Sequence, residues 1–164
     1  MTPLSMSDAA EEQPADRIAL QAMYCEPVLQ NDLRLLQQML DTTDAGLAHP
    51  DDLPAQVREQ ILKALRQTQE ELPKAIAARH AALDRLQAFL APRLKHLDAH
   101  AVSGAQQRAQ TDIEEMSAAS TKCAVQCEEP RGGMTPEECS SRCVPKELRE
   151  RLNRCRTPSW LPVS

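Results

Sequence analysis

The sequence predicts an all-α protein, with a long N-terminal helical hairpin followed by a short, disulfide-stapled antiparallel helical hairpin of the twin CX3C kind. Three observations carry this reading. Apolar residues recur in steps of three and four along most of the chain, which is the helical period. Aromatic residues make up only 2% of the 164 residues, and 4 glycines are present, so the material for a sheet or a conventional aromatic core is missing. Four of the 6 cysteines fall in two CX3C pairs separated by a loop.

Residues 1–14, with Pro3 and Pro14, read as a disordered leader. From Ala15 the apolar residues fall at Ile18, Ala22, Cys25, Leu29, Leu33, Leu36 and Leu40. Pro27 lies inside this run, predicting a kink or break near Cys25–Glu26. Gly46 should end the helix, with His49–Pro50 marking a loop. A second helix is expected after Asp51 or Asp52, with Pro54 in its first turn. Val57, Ile61, Leu65, Leu72 and Ile76 continue the stripe, then Leu83, Leu86, Leu90, Leu94 and Leu97. Pro73 and Pro92 should each bend or break it. Residues 15–102 are therefore assigned to the first hairpin.

Ser103–Gly104 punctuates the chain, and residues 103–156 are assigned to the second hairpin. Ala109, Ile113, Met116, Cys123 and Cys127 share one helical face. The loop Glu128–Gly133 follows. Thr135-Pro136-Glu137-Glu138 then supplies a cap, a proline at the first helical position and a glutamate placed to close a capping box. Pro145 should bend that helix, with Leu148, Leu152 and Cys155 continuing its face. Residues 157–164 read as an extended tail.

The spacing of Cys123 with Cys127, and of Cys139 with Cys143, puts both sulfurs of each pair on one helical face. In an antiparallel hairpin Cys127 lies opposite Cys139, near the loop, and Cys123 opposite Cys143, one turn away. Bonds within a helix would be strained and the crossed pairing conflicts with antiparallel helices, which leaves the nested pairs. Each bridge is worth about 2–4 kcal/mol to a hairpin too small to bury a core, and such bridges require an oxidising compartment. A zinc site on the same four thiols, or a set of reduced cysteines, is the competing reading. Cys25 and Cys155 read as buried small hydrophobes, with a third bridge between them as the alternative.

The formal net charge of −5 argues against nucleic acid as a partner. Residues 142–156 run the other way: six basic side chains face Glu147 and Glu150, a net of +4 that reads as a solvated helix face. His96 and His100 stand four apart, without the acidic or cysteine partners a metal would need. No nucleophile elbow or phosphate-binding glycine loop is present, so no catalytic residue, cofactor or metal is assigned and the chain does not read as an enzyme. No apolar run reaches the length of a membrane span. Leu83, Leu86, Leu90 and Leu94 are assigned as the partner-binding stripe.

Twin CX3C motifs flanking a loop of this length resemble the small Tim proteins of the mitochondrial intermembrane space. The closer match is Glu138-Cys139-Ser140-Ser141-Arg142-Cys143-Val144-Pro145-Lys146, similar to that family's Glu, CX3C and following Lys. The resemblance covers about 35 residues. It implies import without a presequence, which the acidic leader suits, and oxidation by the intermembrane-space disulfide relay. Two functions follow as expectations. One is a small-Tim-like chaperone or translocase component that holds hydrophobic membrane-protein segments. The other is a structural accessory subunit of an inner-membrane, respiratory-type complex, with the N-terminal helices docking. In both, the partners are proteins, the chain is peripheral to the membrane, and it works in a hetero-oligomer or larger assembly.

Overall fold

The computed structural model describes residues 14–128 and 132–162. The leader at 1–13, residues 129–131 of the predicted loop and residues 163–164 of the tail lie outside them. Every described segment of regular structure is helical. Five α-helices follow one another: α1 (Pro14–Ala48), α2 (Arg58–Leu90), α3 (Ala99–Gln126), α4 (Pro136–Cys143) and α5 (Lys146–Arg156). Two 3-10 turns, Pro50–Asp52 and Leu94–His96, connect the first three.

The prolines act differently from one another. Pro27 and Pro73 both sit inside unbroken helices of 35 and 33 residues. Each removes one N–H from the helical ladder. Around Pro27, Cys25, Val28 and Leu29 are at most 2% exposed, so packing on neighbouring helices outweighs one lost hydrogen bond. Pro54 and Pro145 do break the backbone, because a proline pushes its preceding residue out of the helical region. Leu53 (φ −82°, ψ 146°) and Val144 (φ −72°, ψ 134°) are accordingly extended. Hence α2 starts at Arg58 rather than just after Asp52. The chain likewise breaks at Pro145, where a bend was expected, and α5 begins afresh.

Gly46 does not stop α1. A β-carbon there would stand 3.0 Å from Leu65 Cδ1, so the missing side chain lets the end of α1 close onto α2. Ser103–Gly104 is no boundary either. Asp98 caps α3 by accepting a hydrogen bond from the Ala101 N–H at 2.9 Å, and the helix runs through Gly104 without a break.

One core draws on both sides of the 102/103 division. Ala19, Ala22, Cys25 and Leu29 of α1 pack with Leu83, Leu86 and Leu90 of α2, Ala105 and Ala109 of α3, and Leu148, Leu152 and Cys155 of α5. Four alanines with no exposed surface (19, 22, 105 and 109) give α1 and α3 short side chains where they meet. The tail contributes too, where an extended ending was expected. The Leu161 N–H donates to the Pro158 carbonyl at 3.1 Å, the Trp160 indole N–H donates to the Arg154 carbonyl at 2.8 Å, and Leu161 is buried.

Beyond Asp32 this core thins out. Among the remaining residues of α1 only Thr43 is buried, and between Arg58 and Ala81 of α2 only Leu62 and Leu72 are. That half of the α1–α2 hairpin is a two-helix arm, held by a seam of half-buried Leu33, Leu36, Leu40, Ile61 and Leu65.

Candidate functional site

Helix α4 has eight residues and buries none of them. A helix so short is unstable alone in water, since nucleation costs more than so few hydrogen bonds return. Its start is well made nonetheless. Gly132 and Gly133 take φ of 70° and 75°, which side chains disfavour. Thr135 then accepts a hydrogen bond from the Glu138 N–H at 3.1 Å. What fastens the helix to α3 is covalent. Cys123 is bonded to Cys143 and Cys127 to Cys139, with Cα separations of 5.8 and 5.6 Å inside the range disulfides require. The bridges are nested, and Cys123 and Cys127 are buried beneath them.

The sequence left Cys25 and Cys155 as buried small hydrophobes or as a third bridge, and the structure shows the bridge. Both have no exposed surface, but they are bonded to each other across 130 residues, with Cα atoms 5.0 Å apart. This bridge sews α5, and through Pro145 the whole stapled hairpin, onto α1. The signal lay in the sequence: with four cysteines paired, two remain, each on the apolar face of its helix beside Leu29 or Leu152. All six cysteines are oxidised, so none is a nucleophile or a metal ligand in this state. Among the described residues no group of His, Cys, Asp or Glu is arranged to hold a metal ion, and no helix is long and apolar enough to cross a membrane.

The partner-binding stripe also needs correction. Leu83, Leu86 and Leu90 are 8%, 0% and 2% exposed, packed against α1 within the chain's own core. Leu94 alone stands exposed, because the 3-10 turn after Pro92 swings it off the α2 face. The stripe is periodic because it faces α1, and periodicity cannot tell an internal seam from an external one.

Two polar clusters escaped sequence reading. Asp112 of α3 is buried and accepts hydrogen bonds from the Tyr24 hydroxyl of α1 and, in a two-pronged pair, from Arg151 Nε (3.0 Å) and Nη2 (3.2 Å) of α5. Burial pushes the Asp112 carboxyl up, but the Arg151 and Tyr24 hydrogen bonds and the Arg151 charge outweigh it and hold the group below its ordinary range. Burial first, then the carboxylate, push the Tyr24 hydroxyl well above its ordinary value. Asp32 of α1 accepts from Arg156 Nε (2.7 Å) and Nη2 (3.1 Å) of α5, with Arg79 Nε of α2 standing 3.5 Å away. Arg151 and Arg156 therefore belong to interhelix ties, which corrects the solvated-face reading for those two residues, while Arg142, Lys146 and Arg154 stand exposed as that reading expected. A carboxylate lying one residue position inside an apolar stripe was the available signal for each.

These elements define a disulfide-locked all-α protein in which three bridges and two buried carboxylates hold five helices together. No family model, no curated protein and no solved structure matches the chain.

Proposed function

We propose that the chain is a non-catalytic twin CX3C protein of the mitochondrial intermembrane space that serves as a structural accessory subunit of an inner-membrane protein complex. The observation that carries this reading is the fate of the apolar stripes. Leu83, Leu86 and Leu90 are consumed inside the chain, so the longest apolar stripe among the described residues is not open to unfolded hydrophobic segments. Three disulfides locking one arrangement of helices suit a fixed part of an assembly better than an adaptable client holder. The chaperone reading keeps one point in its favour. The stapled hairpin projects from the core with Val125 65% exposed, and its second motif carries the resemblance to the small Tim proteins.

The two readings separate in one experiment. The full chain, epitope-tagged at its C-terminus, is expressed in cultured cells. Mitochondria are isolated, opened at the outer membrane, solubilised in mild detergent and resolved by native electrophoresis. An accessory subunit co-migrates with a membrane complex at constant stoichiometry, whereas a small-Tim-like chaperone runs as a soluble hexamer. Residence wholly outside mitochondria would sink both.

A further inference from the structure

Where α1, α3 and α5 meet, above the Tyr24–Asp112–Arg151 cluster, lies an open cleft of about 600 Å³. Arg17 of α1, Arg108 of α3, and Arg151 and Arg154 of α5 all line it, against the single carboxylate of Asp112. That is an unusual concentration for a chain of net charge −5. The carboxylate is already committed, bonded by Tyr24 and by both prongs of Arg151. Arg17, Arg108 and Arg154 are exposed and make no ion pair or side-chain hydrogen bond among the described residues. Three uncommitted guanidinium groups around one concavity repel each other, and an anion placed between them removes that repulsion.

We propose that this cleft binds a compact polyanion, a small molecule bearing two or more phosphate groups. Guanidinium groups are always charged and present planar forks that match phosphate oxygens two at a time. The volume falls within the span of about 300–1,000 Å³ that small-molecule sites occupy. Size and shape also select against larger partners. An acidic peptide spreads its carboxylates at about 3.3 Å per residue along a strand and needs an extended groove. A bilayer surface meets convex basic patches, and here the charge rings a hollow. The floor is pre-organised, because Asp112 fixes Arg151 in place and Tyr24 fixes Asp112. Arg151 thus serves as a positioned contact, while Arg17, Arg108 and Arg154 supply the remaining charge from three helices, of which α1 and α5 are joined by the Cys25–Cys155 bridge and α3 is tied to both through Asp112.

The test is isothermal titration of the full oxidised chain with inorganic tripolyphosphate at low ionic strength. The expected result is saturable one-to-one binding that weakens as salt rises. Arg108→Gln combined with Arg154→Gln should weaken it by roughly tenfold or more. Both side chains are exposed and unpaired among the described residues, so an unchanged melting temperature verifies the fold of the variant. As a control, Arg34→Gln with Arg66→Gln removes the same charge from the arm and should leave binding intact. Absence of saturation by the native chain up to about 1 mM tripolyphosphate overturns the proposal. So does equal weakening in the arm control, which reduces the effect to net charge. Tighter binding of hexa-aspartate, or of vesicles containing anionic phospholipid, overturns it in favour of an acidic peptide or a membrane surface.

Discussion

Removing the Cys25–Cys155 bridge should destabilise the protein more than removing either bridge of the stapled hairpin. A disulfide stabilises chiefly by limiting the unfolded chain, and the effect grows with the logarithm of the loop it closes. The three loops here span 130, 20 and 12 residues. The chain-entropy relation gives about 5 kcal/mol for the first, about 3.3 for the second and about 2.8 for the third. Nesting lowers the hairpin values further, because either bridge shortens the loop left for the other. Alanine is the right replacement at Cys25 and Cys155, since neither position has exposed surface and a serine would bury an extra hydroxyl. Urea unfolding of the oxidised protein, followed by far-ultraviolet circular dichroism, measures each loss. Cys25→Ala with Cys155→Ala should cost about 5 kcal/mol, and Cys127→Ala with Cys139→Ala about 3 or less. The first variant should also unfold with a steeper urea dependence, its unfolded state being the more expanded. If the hairpin variant loses as much stability as the long-range one, loop entropy does not govern these bridges and the ranking is wrong.

Leu86→Ala should cost about 2–5 kcal/mol in the same urea assay, because the side chain is fully buried at the meeting of helices. The exposed Leu94→Ala should stay within about 0.5 kcal/mol, and equal losses would refute the placement of the α2 stripe. Tyr24 is the chain's single tyrosine, so tyrosinate absorbance reports on it alone. Its hydroxyl is raised in the folded state, so its contribution is complete below about pH 10 and lost as pH rises beyond. Ionisation should thus appear only with alkaline unfolding, and a free titration near pH 10 in folded protein would contradict the Asp112 contact. Asp112 has the opposite sign: its folded value is lowered, so its contribution is present above about pH 3.9 and lost as pH falls below that. Asp112→Asn should cost about 1–3 kcal/mol at neutral pH and flatten the stability profile below pH 4, as read from urea midpoints.

The helical periods and the CX3C pairs were legible because both depend on spacing along a single helix. The start of α4 was legible for the same reason, as Thr135 and Pro136 act within one turn. The assembly of the helices was not. Leu86 and Leu90 have the same pattern whether they face α1 or a partner chain. Pro27 weakens a helix locally, yet neighbours from distant sequence keep that helix unbroken. Asp112 reads as a polar residue interrupting an apolar face until Tyr24 and Arg151, 88 and 39 residues away, arrive to satisfy it. Cys25 and Cys155 could be paired only by counting, since the contact between α1 and α5 leaves no local mark.

The same loop lengths predict the order in which the bridges form. Closing a loop of 130 residues rather than one of 12 costs about 2 kcal/mol more, so two thiols that far apart in an unfolded chain meet roughly thirtyfold less often. Hairpin cysteines therefore pair first, Cys127 with Cys139 ahead of Cys123 with Cys143. Cys25 and Cys155 must wait until α5 docks on α1, which Leu148, Leu152 and the Arg156–Asp32 pair drive. The last bridge thus locks a core already assembled, whereas the first two allow α4 to exist at all. Oxidative refolding of the reduced chain, quenched at intervals with a thiol-alkylating reagent and mapped by mass spectrometry, resolves the sequence. Intermediates should carry one or two hairpin bridges with Cys25 and Cys155 alkylated. Asp32→Ala should delay the final bridge and leave the first two unchanged, because it removes ties of α1 to α5 and α2 and touches no contact within the stapled hairpin. Accumulation of a species bridged at 25–155 with free hairpin thiols would show that helix docking precedes local closure, and would overturn this order.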